Sequence, residues 1–211
     1  MINLAWGIDS EIEIDGLIFL LDLEFSTVLR WFEVIEDQEE SEEFKVLSCL
    51  MTIGNLSESD MAEIDPEIIQ RLFVEIVHRL IPQTEREQSA VKKDLSGNVL
   101  EEPESKSYDL FEDGNYIFAS FMQQYAIDLT ESNLHWDKFN AMLDGLSENT
   151  RFREVIKIRQ MKIPEKATQE ERDAILKAKE SVALRSNREA MEFEAMDLRQ
   201  KREWYARQNK N

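Results

Sequence analysis

The chain has 211 residues, of which 42% are hydrophobic and 33% are charged, and its formal net charge is −19. This hydrophobic content is enough for the core of one ordinary domain with appendages and excludes a wholly disordered chain, while the acidity disfavours nucleic acid and anionic membrane as partners. The single cysteine excludes an intrachain disulfide and a thiolate metal cage, and no apolar run reaches the roughly 20 residues that span a bilayer.

The first predicted element is a β-hairpin near the N-terminus. Two β-prone runs within residues 11–21 flank Asp15-Gly16, and both turn residues accept the positive φ of a type I′ turn. The residues that precede the hairpin do not combine a basic flank with an apolar core. We therefore expect no signal peptide and a cytoplasmic location.

Three predicted helices follow and complete an N-terminal part over residues 1–82. The apolar face of the first helix is formed by Phe25, Val28, Leu29, Phe32 and Ile35. The second helix runs from Ser41 to Gly54 and has acidic residues in its first turn. The third begins with Asp65 as its N-cap and Pro66 in the first helical position, and it ends before Pro82. Its broad apolar face predicts a place in the core.

Residues 83–107 predict a mobile linker loop. The segment contains few large apolar side chains and includes Ser96-Gly97-Asn98 and Pro103. Such a segment cannot bury enough surface to offset the entropy lost on ordering. We therefore expect it to move while both flanking parts are folded.

An aromatic-rich helical unit is predicted over residues 108–164. One face of its first helix is formed by Ile117, Phe121 and Tyr125. Ser132 or Asn133 can cap a second helix, which carries Trp136, and Thr150 can cap a third. We expect these helices to pack together with the helix that begins at Pro66.

Residues 165–211 predict a long charged helix. The capping box Thr168-Gln169-Glu170-Glu171 opens it, and good helix formers continue to about Arg207. Because its apolar positions form no continuous stripe, we expect this helix to project into solvent or to wait for a partner, and its removal to leave a folded core. The predicted fold is mostly α, a compact helical domain with a small N-terminal β-hairpin and this long C-terminal helix.

The sequence contains little that is typical of catalysis or cofactor binding. It has no glycine-rich phosphate loop and no zinc-protease or nucleophile-elbow motif, so we expect no catalytic residue, no cofactor and no metal site. His78 lies on an apolar helix and is expected to be structural. His135 and Asp128 could form an acid–base pair, but no nucleophile stands out beside them. Cys49 is expected to be a small buried hydrophobic residue.

Four aromatic residues are candidates for binding a protein partner, namely Tyr116, Phe118, Tyr125 and Trp136. Core packing accounts for most aromatics of this region. Tyr116 and Phe118, however, fall off the face that Ile117 begins. Exposed aromatics at these positions would act as anchors, because aromatic side chains dominate the energetics of protein interfaces.

The C-terminal half carries a series of short motifs, which are Asp113, Tyr116-Ile117, Ala119-Ser120-Phe121, Tyr125, Ile127-Asp128-Leu129, His135-Trp136, Lys138-Phe139, Gly145-Leu146, Phe152 and Ile158-Arg159. In the order and spacing of these motifs the chain resembles the tail-assembly-chaperone-like proteins of siphophages that infect Gram-positive bacteria. Residues 10–164 are covered, the N-terminal half more loosely. Ala126 stands where the family has glycine, which argues against a positive φ there, and Asp137 stands where a second aromatic is common.

This resemblance implies a non-enzymatic role in phage tail assembly. Genes of the family lie between those of the major tail protein and the tape measure, and their products look like chaperones that coat the long helical tape-measure protein until the tail tube polymerises around it. The implied partners are the tape-measure protein and the major tail protein, with a homo-oligomer as a further option. The implied setting is the host cytoplasm, with the protein absent from the mature virion.

The distribution of charge leaves other functions open. Residues 1–150 hold 9 basic and 33 acidic side chains, a net charge of −24, whereas residues 151–211 hold 16 and 11, a net charge of +5. A DNA-mimicking inhibitor of a nucleic-acid-binding enzyme would be this acidic, although it would need carboxylates spaced like phosphates on one face. Solubility is the simpler interpretation. An enzyme based on His135 and Asp128 is the third hypothesis.

Overall fold

The structure, a computed structural model, describes residues 2–5, 7–81, 106–164 and 166–188, and also 192, 193, 196, 199, 200 and 204. As the sequence predicts, the fold is mostly α. In the described residues, β1 (Ile2–Asn3) pairs with β2 (Gly7–Ile8) and β3 (Glu11–Ile14) with β4 (Leu17–Leu20), both antiparallel. The described helices are α1 (Phe25–Glu36), α2 (Glu42–Thr52), α3 (Glu58–Glu63), α4 (Pro66–Leu80), α5 (Gly114–Tyr125), α6 (Trp136–Asp144), α7 (Arg151–Gln160) and α8 (Gln169–Ser181).

Two units make up the chain, and each combines two stretches of sequence. Unit 1 is formed by Met1–Ser89 and Leu129–Gly145, and unit 2 by Ala90–Asp128 and Leu146–Asn211. The sequence predicts one unit over residues 108–164, whereas the structure assigns α6 to unit 1 and α5 and α7 to unit 2. The linker loop predicted for 83–107 lies outside the described residues except for its last two. No helix in the described parts is both long enough and apolar enough to cross a bilayer.

The β3–β4 hairpin of unit 1 has the predicted turn. Asp15 and Gly16 have φ values of 51° and 83°, and the register pairs Ile14 with Leu17 beside the turn. On one face of the hairpin, Ile14 of β3 and Phe19 of β4 are buried. The turn sequence therefore determines the register, and the register places these two side chains in the core.

The helices that follow begin where local capping signals predict. Ser41 accepts a hydrogen bond from the Phe44 amide at the start of α2, and Asp65 accepts one from the Glu67 amide at the start of α4. In α1 the sequence prediction missed Trp31, which is 2% exposed and donates its indole N–H to the Lys45 carbonyl. The short helix α3, with its own capping box, was also missed.

Helix α6 enters the core of unit 1 through backbone pairing with a distant segment. The Phe25 amide donates to the Leu134 carbonyl and the Trp136 amide to the Leu23 carbonyl, at 2.8 and 2.7 Å. This pairing keeps the chain extended as far as His135, so the predicted N-caps Ser132 and Asn133 are wrong and His135 caps the helix. Aromatic rings then pack between the elements, with Phe25 stacked on Phe139 at 5.1 Å between centroids.

Unit 2 is built on α5, α7 and α8. Thr150 precedes α7 as predicted, but its side chain does not cap the helix; the Ser120 hydroxyl of α5 accepts from the Phe152 amide instead. Helix α8 begins at the predicted capping box and ends at Ser181 rather than continuing as one helix to about Arg207. It ends there because Val182 and Leu184 turn into the core of unit 2, where they are 7% and 2% exposed.

Candidate functional site

Unit 2 contains a buried ion pair. Arg159 of α7 donates two parallel hydrogen bonds to Asp113, at 2.5 and 2.7 Å, and the two side chains are 5% and 1% exposed. The residues are 46 positions apart in sequence. Such a bidentate pair is stable in a low-dielectric interior only when its remaining hydrogen-bonding groups are also satisfied.

The surrounding backbone supplies those partners. The Arg159 guanidinium also donates to the carbonyl oxygens of Val182 and Ser107, and Asp113 also accepts from the Asp109 amide. The pair therefore joins the start of α5, the end of α7 and the segment after α8. Because its donors and acceptors are occupied by the protein itself, this pair serves the fold and not a ligand. The resemblance motif begins and ends with these two residues, which is the signal that could have predicted their contact.

Two further contacts hold the segment after α8 in place. Asn187 is 3% exposed and exchanges hydrogen bonds with the backbone of Lys106, accepting at 2.8 Å and donating at 2.7 Å. The Arg185 amide donates to the Glu112 carboxylate at 2.9 Å. This part of the chain is therefore packed on its own unit, whereas the sequence predicts that it projects into solvent or waits for a partner.

His135 in unit 1 is the sequence candidate for acid–base chemistry. Its Nδ1 accepts from the Asp137 amide at 3.1 Å, and its Nε2 lies 3.1 Å from the Ser10 hydroxyl. Burial is the largest of the effects that lower its pKa; the Arg79 guanidinium also lowers it, while the Asp137 carboxylate opposes them. The neutral ring, which the Nδ1 lone pair requires, is therefore favoured.

This geometry does not prepare Ser10 for nucleophilic attack. A serine nucleophile needs a histidine nitrogen that accepts its proton while the other nitrogen donates to a carboxylate. Here Nδ1 is an acceptor, so the neutral ring carries its proton on Nε2 and donates it to Ser10. The Asp137 carboxylate instead binds Arg79 at 2.9 Å, and the other sequence candidate, Asp128, belongs to unit 2.

The remaining titratable candidates are similarly occupied or dispersed. Cys49 is fully buried in unit 1, and burial raises the pKa of its thiol to about 12, so it is an inert core residue. His78 lies on the exposed side of α4. Within the described residues, no group of three or more His, Cys, Asp and Glu side chains is placed to hold a metal ion.

The four aromatic candidates occupy different environments. Trp136 is 4% exposed in unit 1, and its indole N–H donates to the Leu80 carbonyl, so it is a core residue and not an accessible anchor. Tyr116, Phe118 and Tyr125 are half-buried on α5 of unit 2. The Arg151 guanidinium lies 5.7 Å from the centroid of the Tyr116 ring, a cation–π contact at one edge of the helix.

Helix α5 has a solvent face without charge. None of its twelve residues is charged, although a third of the whole chain is. Phe118, Met122 and Tyr125 follow one another at spacings of four and three residues, so they share one side of the helix. Met122 is 42% exposed, and the sequence prediction missed it. We call these three residues the α5 stripe.

The composition of the α5 stripe is typical of the centre of a protein interface. Aromatic residues and methionine are enriched at such centres, and charged residues are depleted. The uncharged Asn115 and Ala119 are exposed next to the stripe and allow close approach by a neighbouring backbone. Its spacing, four residues and then three, was visible in the sequence and could have identified Met122.

Comparison with other proteins adds an independent observation. No curated protein and no solved structure matches the chain. The sequence profile of the family described as Bacteriophage Gp15 protein matches residues 8–184. Since this is well over half of the chain, the protein belongs to that bacteriophage family.

Proposed function

We propose that this phage protein is a non-enzymatic tail-assembly chaperone that keeps the tape-measure protein soluble until the tail tube forms around it. The observation that carries the proposal is the α5 stripe, an uncharged apolar surface on an otherwise highly charged chain. Membership of a bacteriophage family and the resemblance to tail-assembly-chaperone-like proteins support the same role.

The apolar α5 stripe and the acidity of the chain both fit such a role. A long amphipathic client aggregates through its apolar stripe, and a short apolar surface on a partner can cover part of that stripe. The net charge of −19 then keeps the resulting complex dispersed by electrostatic repulsion. Since the α5 stripe is only three side chains long, each contact is weak, and a polymerising tube protein can displace it.

The test compares two identical substitutions on exposed methionines of unit 2. Met122 lies in the α5 stripe and is 42% exposed, whereas Met161 follows α7 and is 45% exposed. The tape-measure protein would be co-expressed with the wild-type chain, with Met122→Lys or with Met161→Lys, and the soluble client quantified after centrifugation. We expect Met122→Lys to weaken binding about tenfold, because it places a charge in the contact, and Met161→Lys to behave as wild type.

Two outcomes would count against this function. If Met122→Lys solubilises the client as well as Met161→Lys does, the α5 stripe does not bind it. If the wild-type chain neither solubilises nor co-purifies with the tape-measure protein, the chaperone role itself fails. Circular dichroism of each variant provides the control for folding, since both substitutions are at exposed positions.

A further inference from the structure

The negative charge of the chain lies almost entirely on unit 1. By sequence, unit 1 holds 6 basic and 24 acidic side chains, a net charge of −18, whereas unit 2 holds 19 and 20, a net charge of −1. The α5 stripe belongs to unit 2. The surface proposed to bind the client and the charge proposed to disperse the complex are therefore on different units.

Unit 1 concentrates part of its charge in residues 33–43, at the end of α1 and the start of α2. Seven of these eleven residues are Asp or Glu, and all seven are exposed. We call residues 33–43 the acidic run. Within the described part of the chain, Glu42 alone of the seven forms an ion pair, with Lys45 at 3.2 Å, and the Glu42 side chain is 89% exposed. Most of this charge is therefore open to solvent and to neighbouring molecules.

The acidic run does not stabilise the helix at whose end it begins. Glu33 and Glu36 lie in the last turn of α1, where the helix dipole is negative and favours basic side chains, yet that turn contains no basic residue. Carboxylates close together in sequence also repel one another. Since the charge of this segment opposes the fold of α1, an interaction between molecules explains it better than a structural role does.

We propose that unit 1 acts as an electrostatic spacer between copies of this protein that are bound to the same client molecule. Two units with a net charge of −18 repel each other over the screening length of the solvent, which is about 10 Å at 0.1 M salt. This repulsion limits how closely a second copy can bind beside the first. It does not act on a single bound copy, because a single copy has no neighbour.

This inference rests on the proposed chaperone function and adds to it how densely the client is coated. Binding of one copy depends on the α5 stripe of unit 2, whereas the number of copies on a long client depends on the charge of unit 1. The two quantities can therefore be measured separately, on a short and a long client, with variants of the full chain.

The long probe is the full-length tape-measure protein, and the short probe is a fragment of it of about 30 residues, which has room for about one copy. Light scattering after size-exclusion chromatography would give the number of copies per full-length client, and fluorescence anisotropy the dissociation constant for the fragment. The neutral variant Glu33→Gln/Glu36→Gln/Glu39→Gln/Glu40→Gln should raise the number of copies at least about 1.5-fold at 0.1 M salt, because neighbours repel less. Its dissociation constant for the fragment should change less than about twofold, because a single copy has no neighbour.

Two controls separate charge from other effects of the substitutions. Aspartate at the same four positions keeps the charge, so this variant should bind in the same number of copies as the wild type. Salt at about 0.5 M shortens the screening length to roughly 4 Å, so the wild type and the neutral variant should then bind in equal numbers. Thermal unfolding should show that the neutral variant is folded and at least as stable as the wild type, because it removes carboxylates from the negative end of α1.

Three outcomes would overturn the spacer. The first is an equal number of copies for the wild type and the neutral variant at 0.1 M salt. The second is an aspartate variant that behaves as the neutral variant does. The third is a neutral variant that binds the short fragment more tightly by the same factor, since the charge would then act on the client and not between copies. Failure of the wild-type chain to bind either probe would instead refute the chaperone function, and the spacer with it.

Discussion

His135 caps α6 with a nitrogen that can also take up a proton. The pKa of this histidine lies below its usual 6.5 in the folded protein, chiefly because of burial. The unfolded chain therefore binds more protons just below pH 6.5 than the folded chain does. The contribution of His135 to stability is fully present above pH 6.5, and it is lost as the pH falls through the lower pKa of the folded state.

Substitution of His135 by asparagine should distinguish the stability that comes from capping α6 from the pH dependence that comes from protonation of the histidine. Asparagine supplies a capping oxygen that does not titrate, so His135→Asn should retain α6 while weakening the pH dependence of stability below 6.5. His135→Ala should cost about 1 kcal/mol at pH 7.5 through loss of the cap. Urea unfolding at a series of pH values would measure both effects. A His135→Asn protein with the full pH dependence of the wild type would show that another group titrates.

Removal of one partner of the buried Asp113–Arg159 pair should lower the stability of the protein much more than removal of one partner of an exposed pair. Asp113→Ala leaves the buried guanidinium without its counter-charge, which should destabilise the protein by roughly 3–5 kcal/mol. Glu154→Ala removes the partner of Arg151, where both side chains are 51% exposed, and should cost less than about 1 kcal/mol. Denaturant midpoints of the two variants provide the comparison. Similar losses in both would contradict the structural role given to the buried pair.

At the scale of elements, Ala126 shows that tertiary structure can override a local preference. The alanine argues against a positive φ, but the residue lies at the end of α5 with φ 52° and ψ 35°. Its amide donates to the Met122 carbonyl, which completes the last turn of the helix. The left-handed conformation places Cβ close to the following carbonyl oxygen, so the end of α5 is strained.

Substitution by glycine should stabilise the protein at Ala126, where it relieves the strain, and destabilise it at Ala119. Ala126→Gly removes a conformational penalty of about 1–2 kcal/mol but also loosens the unfolded chain, so a net stabilisation of roughly 0.5–1 kcal/mol is expected. Ala119→Gly, at an exposed position within the same helix, should instead destabilise by about 0.5–1 kcal/mol. Thermal unfolding would reveal the opposite signs. Destabilisation by both substitutions would mean that the αL residue is not strained.

Helix starts divide into those that the sequence predicts and those that it does not. Ser41, Asp65 and Thr168 cap helices through side chains two or three residues from their partners, so the signal is local. The Ser120 hydroxyl caps α7 from a different helix, and His135 becomes the cap of α6 because backbone pairing with residues 23–25 keeps the chain extended up to it. Local capping is therefore readable from spacing, whereas these two caps required the structure.

At the scale of the whole molecule, the spacing of apolar residues predicts which face of a helix is buried. It does not predict on which other element that face packs. Core packing is predicted for most aromatic residues of this region, and Phe139 of α6 is buried; Trp136, which the sequence offers as a partner anchor, is buried as well. Nothing in their spacing distinguishes packing on α1 from packing on α5. The α6 segment joins unit 1 through backbone pairing with residues 23–25, more than a hundred positions away. The division of 108–164 between two units follows from that pairing.

Because the segment after α8 is packed in unit 2, the structure changes the expected effect of C-terminal truncation on stability. The sequence alone predicts that the chain remains folded when everything after Pro164 is removed. In the structure, removal takes away buried Val182 and Leu184 and the Val182 carbonyl that accepts from buried Arg159. A buried donor without a partner costs about 1–3 kcal/mol, in addition to the apolar surface exposed. We therefore expect truncation to destabilise unit 2.

A point substitution tests this contribution without deleting residues. Leu184→Ala should destabilise the protein by about 2–4 kcal/mol, since the side chain is 2% exposed and its loss leaves a cavity. Lys177→Ala, at an exposed position of α8, should change stability by less than about 0.5 kcal/mol. Urea unfolding monitored by circular dichroism provides the measurement. If Leu184→Ala is as stable as Lys177→Ala, the segment adds nothing to the core, and the projecting helix predicted from sequence describes the tail better than the packed one.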